Sequence, residues 1–218
     1  MRLKVWGECA CFTRPEMKAE RVTYPVMTPS AARGVLEAIF WKPEFYWQIK
    51  EIHILRPMRY MSIMRNELGH KASTRSALSR DGIKPIYIDD DRQQRNTLML
   101  RDVAYGIVAD IVLKAHAQDP VAKYRDIFWR RVDRGQCFYR PYLGCREFSA
   151  WFSRWDKSEQ AVDITEDIGP MLFDLDYISQ EGTARPVFFP ARLVNGVLHV
   201  PPHLYQKVGW ANAAAKTS

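Results

Sequence analysis

"DPVAKYRDIFWRRVDRG", residues 119–135, predicts one well-bounded helix in a chain that elsewhere favours strands. Asp119 is a candidate cap, Pro120 suits a first helical turn, and Gly135 stands where a helix ends. Phe128 and Trp129, in the middle of the segment, are expected mainly in the core. Together with the strand-like segments on both sides of it, this helix favours an α+β fold.

The segments before and after this helix complete a recognisable order. Residues 2–12 alternate like a strand, and "TPSAARGVLEAIFWKP", residues 28–43, predicts a helix that Thr28 caps and Pro43 stops. Further strands are expected at residues 45–67, 97–117 and 142–152. The first of these is a long strand or a hairpin arm, with a bend or an edge at Pro57. The order strand, helix, strand, strand, helix, strand predicts a ferredoxin-like, RRM-like βαββαβ domain over residues 1–153.

The last third of the chain favours a separate, mostly β module. A polar stretch, "SRWDKSEQAVDITEDIG" at 153–169, indicates a boundary, so the module spans residues 154–218. Asn195-Gly196 predicts a tight hairpin turn, and the terminal residues 211–218 are expected to fray. Residues 66–96 are polar and predict a long loop, which in a compact domain is usually functional or mobile.

Composition limits the classes of partner. The chain has 218 residues, of which 47% are hydrophobic, and this content is typical of a folded protein. Its formal net charge of +7 favours a polyanionic partner, with nucleic acid as the first candidate and an anionic membrane surface as the second. No apolar run could span a membrane and no signal peptide is evident, so a cytoplasmic protein is expected. Four cysteines without metal-ligand spacing predict reduced thiols, and no metal or other cofactor is expected. The acidic run at 89–91 is expected to be solvated.

The cations of the 119–135 helix suggest phosphate chemistry. From the residues alone, Lys123 could be one solvated lysine among many or a group that stabilises a phosphate charge. One face of the helix could carry three arginines, as a phosphate-binding stripe or as an ordinary solvated face: Arg130, Arg131 and Arg134.

Several motifs in the same order resemble one family. They are "KVWGECACFTRPE", "TPSAARGVLEAIFWKP", "NTLMLRDVAYGIV" and "YLGCREF", and most of the match lies in the first 150 residues. Together they resemble the type I-C CRISPR-associated pre-crRNA endoribonucleases, a Repeat-Associated Mysterious Protein subunit of the interference complex. The resemblance implies a ferredoxin-like domain followed by a β-rich one, and metal-independent cleavage of CRISPR repeat RNA. It also implies a product that stays bound as the 5′ handle, and other subunits of the complex as partners.

The resemblance also implies a site. Its Tyr, Lys and His positions correspond here to Phe40, Lys123 and Tyr124, so two of the three residue types differ. Lys123 and Tyr124 are therefore the catalytic candidates. For such cleavage, Lys123 could stabilise the phosphate charge, or act as a base if neighbouring arginines lowered its pKa. Tyr124 could orient a ribose 2′-hydroxyl or stack on a base, and His116 is a further candidate for the general acid or base. The RNA-binding candidates are Phe40, Lys42, Tyr46, Arg130, Arg131 and Arg134.

Two other interpretations remain open from the sequence. The chain could be a structural subunit of the same complex, with little or no cleavage activity. Such a subunit would hold the 5′ handle and could also bind duplex DNA. It could also be a general RNA-binding domain.

Overall fold

The computed structural model describes residues 1–17, 19–70, 87–156, 158–177 and 184–208, and the tail at 211–218 lies outside them. The molecule is mixed α/β, with few helices and a mostly antiparallel sheet. The described strands are β1 (Arg2–Ala10), β2 (Arg21–Val22), β3 (Phe45–Ile54), β4 (Tyr60–Leu68), β5 (Arg92–Leu113), β6 (Trp151–Arg154), β7 (Glu166–Asp176), β8 (Arg185–Val194) and β9 (Val197–His199). The helices are α1 (Pro29–Ile39), α2 (Ile88–Asp91), α3 (Val121–Asp133) and a 3₁₀ turn (Pro202–Gln206).

One long strand, β5, organises the sheet. Among the described residues the strand order is β6-β1-β5-β3-β9-β8-β7, with β2 and β4 paired to the first half of β5. The pairs β6-β1, β1-β5 and β5-β3 are all antiparallel. α1 packs on β3, and α3 packs on β5 and β6. This arrangement buries the alternate residues of β1 and β3 beneath the helices, as the period-two patterns predict.

The last third of the chain continues this sheet. β9 pairs with β3, and β8 pairs with both β9 and β7. The predicted hairpin turn is confirmed: Asn195 and Gly196 both have positive φ, 50° and 72°, as the tight turn between β8 and β9 requires.

Hydrogen bonds from Tyr205 attach the 3₁₀ turn to β3. The hydroxyl of Tyr205 accepts from the Ile49 amide at 2.7 Å and donates to the Ile49 carbonyl at 3.1 Å, at a bulge in β3. The 3₁₀ turn is thereby fixed to the sheet.

The helix predictions are largely confirmed, with one correction. Thr28 caps α1 and accepts a hydrogen bond from the Ala31 amide at 3.2 Å. α3 ends before Gly135, whose φ is 63°. Asp119 was expected to cap α3, and that is wrong: Pro120 occupies the cap position, and the Asp119 carboxylate accepts from Lys123 Nζ at 2.7 Å instead.

Two strand and loop predictions also need correction. Of the segment 142–152, only the end from Trp151 is a strand; before it the chain turns, with one bridge between Tyr142 and Ser149. Gly144 explains the turn, since its φ is 85° and a Cβ there would lie 2.0 Å from the Cys11 carbonyl oxygen. The polar loop predicted over 66–96 is shorter, because residues 66–68 pair with residues 92–94 as the end of the β4-β5 hairpin. Residues 71–86 of that loop lie outside the described residues.

A buried ion-pair group ties α1 to β7. Arg33 donates to both carboxylate oxygens of Asp174, at 2.8 and 2.9 Å, and to Glu37 at 2.8 Å. The Asp174 side chain is only 5% exposed, so its removal would leave the Arg33 charge partly uncompensated away from water.

Asp174→Ala should therefore lower the free energy of unfolding by about 3 kcal/mol. Urea unfolding at neutral pH would measure the loss. Glu166→Ala, an exposed carboxylate on the same strand, is the matched control and should change stability by less than about 0.5 kcal/mol. Equal losses of unfolding free energy in the two variants would show that the buried ion pair stabilises the fold no more than an exposed carboxylate does.

Candidate nucleic-acid interface

The amino end of α3 places Lys123 at the surface. Its side chain is 54% exposed, and its ammonium group contacts the Asp119 carboxylate one turn earlier. The hydrogen bond to Asp119 raises the pKa of Lys123 above its ordinary value. Lys123 is therefore fully charged at neutral pH. The interpretation of Lys123 as a base with a lowered pKa is wrong, and the role that remains open to it is that of a fixed positive charge.

Tyr124 and Phe40 lie in the core rather than at the surface. Tyr124 is 3% exposed and packs against Phe45, with 5.3 Å between ring centroids. Burial raises the pKa of Tyr124, and among the described residues its hydroxyl has no hydrogen-bond partner. Phe40 is 1% exposed, between the Phe45 ring at 5.5 Å and the Arg131 guanidinium at 5.0 Å. Neither ring can contact a base in this conformation, which contradicts both the stacking role considered for Tyr124 and the RNA-binding role expected of Phe40.

The turn from α1 into β3 approaches the same end of α3. Lys42 is exposed in this turn, and the Glu44 carbonyl accepts from the Lys114 amide at 2.8 Å. Tyr46 follows on β3, half-buried, with its ring stacked on Tyr205 at 6.2 Å. Lys42 is thus accessible to a ligand, whereas Tyr46 is held by the 3₁₀ turn.

Glu44 is a neighbour of this end of α3 that the sequence analysis did not single out. Its negative charge contributes to the raised pKa of both Lys123 and Tyr124. One oxygen of its carboxylate is buried and has no hydrogen-bond partner among the described residues. Glu44 therefore adds negative charge to the surroundings of the exposed Lys123 ammonium group. No motif marks Glu44, since its position depends on the β3-β5 pairing.

The three arginines of α3 separate into two environments. Arg130 and Arg134 are exposed and line a shallow depression with Trp129 and Arg154. Neither has a carboxylate partner in the described part of the chain, since Asp133 is paired with Arg154 at 2.5 and 2.8 Å. Arg131 points the other way. Its guanidinium donates to the Ile39 carbonyl at 2.7 Å, at the end of α1. Two arginines, rather than three, are available to phosphates on one face.

The sheet face opposite the helices is partly covered. Trp155 lies over Gly106, where a Cβ would be 2.8 Å from the indole, and against the His53 ring at 4.7 Å. Arg2 lies over the outer side of Trp155 at 4.6 Å, and Lys4 is paired with Glu159 in the same segment. RRM domains stack bases across this face. Here Trp155 covers the face at Gly106 of β5 and His53 of β3, so a base cannot stack at that position.

A second exposed surface follows α3 and was not recognised from the sequence. The segment 136–149 carries exposed Phe138, Tyr139 and Arg140, and it runs into exposed Trp151 on β6. One signal could have revealed it: residues 134–146 contain three arginines and no acidic residue. The aromatic residues instead suggested a strand.

No group of three or more His, Cys, Asp or Glu residues gathers as metal ligands among the residues that the structure describes. In the same residues no helix is long and apolar enough to cross a membrane.

Comparison with known proteins decides the family. The model of the CRISPR-associated protein (Cas_Cas5) family matches residues 1–201. The chain belongs to this CRISPR-associated family. Two curated relatives have the same name, CRISPR pre-crRNA endoribonuclease Cas5d. The protein from Thermus thermophilus is 46% identical over 224 residues, covering 95% of this chain and 94% of its own length. That from Mannheimia succiniciproducens is 45% identical over 222 residues, with coverages of 95% and 97%.

A solved structure supports the family fold. The chain is similar to a crystal structure of a CRISPR-associated protein, with a TM-score of 0.66 and 22% identity, covering 92% of this chain and 91% of the other. At this identity the likeness concerns the fold alone. The resemblance found in the sequence motifs is thus confirmed at the level of the family.

Proposed function

We propose that this chain is a cytoplasmic CRISPR pre-crRNA endoribonuclease, which cleaves precursor crRNA within the repeat without a metal ion. The Cas5d name of two relatives, each about 45% identical over nearly the whole chain, supports this activity. The observation that carries the proposal is the exposed, fully charged Lys123 at the amino end of α3, beside the Glu44 carboxylate. The cleaved RNA stays bound by its 5′ handle, and the chain acts as a subunit of the interference complex.

The chemistry needs three groups around one phosphate. A base removes the proton of the ribose 2′-hydroxyl, the oxygen attacks the adjacent phosphorus, and the 5′-oxygen leaves with a proton from an acid. Lys123 stabilises the negative charge that grows on the phosphoryl oxygens, and the positive end of the α3 dipole adds to it. Glu44, whose carboxylate lies near Lys123, is the candidate base, and exposed His116 in the turn before α3 is the candidate acid.

The architecture of the first 153 residues supports a finer description of the fold. The strand order β6-β1-β5-β3, antiparallel throughout and with α1 and α3 packed on it, is the order of a ferredoxin-like βαββαβ domain. We propose this arrangement, with residues 154–218 as a β-rich module added through β9.

The test is a cleavage assay. The purified chain is incubated in EDTA with its own repeat RNA and with a scrambled RNA of equal length. A single cut in the repeat and none in the scrambled RNA is the expected result. Activity that disappears in EDTA and returns with Mg²⁺ would contradict the metal-free mechanism.

A second candidate function is a handle-binding subunit with little cleavage of its own, which also contacts duplex DNA. The burial of the Tyr124 hydroxyl and the missing hydroxyl at Phe40 favour it, because both remove proton-transfer groups from the surface. Tight binding of the repeat RNA, together with no cut in the cleavage assay, would favour the handle-binding function over the endoribonuclease function.

The two exposed arginines of α3 should contact phosphates under either function. Replacing Arg130 and Arg134 together with Ala should lower the slope of log K against log salt by about 1.4–1.8, close to one unit for each lost contact. Titrations of repeat RNA at several salt concentrations would measure it. Arg125→Ala is the control, because Arg125 is already paired with Asp126. An unchanged slope in the folded double variant would show that the two arginines form only a solvated face.

A further inference from the structure

The segment between α3 and β6 exposes large aromatic rings to solvent. Phe138 is 83% exposed, Tyr139 45% and Trp151 55%. Exposed rings in a cluster usually mark a binding surface, because each ring could otherwise bury more than 100 Å² of apolar area. With Arg140 and Arg146, these three residues form what we name the loop surface.

The loop surface is held in place by the backbone around it. The Phe138 amide donates to the Ala38 carbonyl at the end of α1, at 2.8 Å. The Leu143 carbonyl accepts from the Cys11 amide at 3.0 Å, and Tyr142 bridges to Ser149. A ligand would therefore meet rings on a positioned backbone, with a smaller loss of entropy on binding than a mobile loop would incur.

The charges on the loop surface are positive. The Arg140 guanidinium lies 4.2 Å from the Trp151 ring centroid. In the described part of the chain neither Arg140 nor Arg146 has a carboxylate partner. Arg140 lines two adjacent depressions, one shared with Tyr139, Tyr142 and Arg146, the other with Trp151, Glu8 and Glu147. The Glu147 carboxylate is itself neutralised by Arg65 and by Arg21.

We propose that the loop surface binds unpaired RNA bases by stacking, with Arg140 and Arg146 on the flanking phosphates. Aromatic rings stack on the faces of single-stranded bases, which a duplex keeps covered, and arginines hold the backbone. Charge complementarity selects the ligand, since two arginines without carboxylate partners in the described part of the chain fit a polyanion better than a neutral protein surface. The inference rests on the proposed function in that RNA is the ligand.

The loop surface is separate from the Lys123 end of α3. Lys123 and Arg134 stand eleven residues apart along the helix, about 16 Å at 1.5 Å per residue. Phe138 follows Arg134 by four residues. One RNA of several nucleotides can therefore engage both ends of α3, with its reacting phosphate at Lys123 and unpaired bases at the loop surface.

Binding of short RNA to the full chain tests the proposal. The probes are fluorescein-labelled octauridine and octaadenosine, titrated in EDTA and followed by anisotropy. Phe138→Ala and Tyr139→Ala should each weaken binding by about fivefold to a hundredfold, the typical effect of losing one base–aromatic stack. Phe138→Tyr, which keeps a ring, should bind as the unaltered chain does. Arg140→Ala and Arg146→Ala should each lower the salt slope by about 0.7.

Matched controls separate stacking from general damage. Phe188→Ala removes a 43% exposed ring on β8, away from the loop surface, and should leave binding unchanged. An octamer containing 2-aminopurine should lose fluorescence on the unaltered chain and lose much less on Phe138→Ala. An RNA duplex of the same length should bind more weakly and be insensitive to Phe138→Ala.

Three results would overturn the inference: normal octamer binding by a folded Phe138→Ala, Tyr139→Ala double variant; equal losses from Phe188→Ala; or a duplex that depends on Phe138 as strongly as the octamer does. Failure here differs from failure of the proposed function. A chain that binds the octamer through Phe138 but never cuts its repeat contradicts the function alone. A chain that cuts its repeat while Phe138 and Tyr139 are dispensable for the octamer contradicts this inference alone.

Discussion

Lys123→Ala should lower the single-turnover cleavage rate by about two to four orders of magnitude, the usual effect of removing a positioned group that stabilises charge or transfers a proton. RNA affinity should fall much less, because one phosphate contact among several is lost. The reason is the arrangement at the amino end of α3, where the ammonium group is exposed and fixed by Asp119 at 2.7 Å. Single-turnover kinetics beside an equilibrium titration, on the same repeat RNA, separates the two quantities.

The raised pKa of Lys123 makes the prediction more specific. Because the charged form is favoured, the contribution of Lys123 is fully present at neutral pH and is lost only as the pH rises through this elevated pKa. The ratio of the cleavage rate of the unaltered chain to that of Lys123→Ala should therefore be constant between about pH 6 and about pH 9. Lys123→Arg keeps the charge and should stay within about tenfold of the unaltered rate. A rate that falls as far in Lys123→Arg as in Lys123→Ala would indicate proton transfer instead.

A neighbouring cation provides the control for Lys123. Arg125 is exposed on the same helix and paired with Asp126, so Arg125→Ala removes one charge without touching the Lys123 contact. Its cleavage rate should be close to that of the unaltered chain. If Lys123→Ala cuts as fast as Arg125→Ala, Lys123 has no part in the reaction, and Glu44→Gln, His116→Ala and Tyr46→Phe are the variants to test next.

A repeat RNA with one 2′-deoxyribose at the cut position should not be cleaved at all. The attacking oxygen is absent from that nucleotide, and no other group of the substrate can replace it in the proposed reaction. Gel analysis over hours at saturating protein would detect residual cleavage. The modified RNA should bind as tightly as the unmodified one, because only a single hydroxyl is lost.

The matched substrate carries the 2′-deoxyribose one nucleotide away from the cut. It should be cleaved at nearly the rate of the unmodified RNA. This result would show that cleavage of the first modified RNA is lost because the attacking 2′-hydroxyl is missing. Cleavage of the first modified RNA at the normal position would mean that water attacks the phosphorus, and the proposed chemistry would be wrong.

Local signals predicted much of the fold because they depend on few residues. The cap at Thr28 and the turn at Asn195-Gly196 each follow from the chemistry of one or two side chains, and both are confirmed. Asp119 shows the limit of such signals. Its carboxylate could cap the helix or accept from Lys123 one turn later, and the sequence offers no means to decide between the two.

The candidate site was harder to predict because tertiary packing decides it. Tyr124, Phe128 and Val132 lie four residues apart on one face of α3, and the structure buries all three, whereas the sequence analysis made Tyr124 a catalytic candidate. The position of Phe40 against Arg131 depends on how α1 meets α3, and that of Glu44 depends on how β3 pairs with β5. No spacing along the chain contains this information.

The loop surface failed as a sequence prediction for a related reason. Residues 142–152 have the aromatic and apolar composition of a strand, and only the positive φ at Gly144 redirects the backbone. The exposed Phe138 and Tyr139 precede this turn, between the predicted helix and the predicted strand, where the sequence analysis expected no helix or strand.

The chemical nature of the product ends is the most direct test of the proposed reaction. Repeat RNA is cleaved by the purified chain in EDTA, and both fragments are analysed by mass spectrometry. Attack by the 2′-hydroxyl predicts a 2′,3′-cyclic phosphate, or its hydrolysis product, on the upstream fragment and a free 5′-hydroxyl on the downstream one. A 3′-hydroxyl on the upstream fragment with a 5′-phosphate on the downstream one would contradict the account.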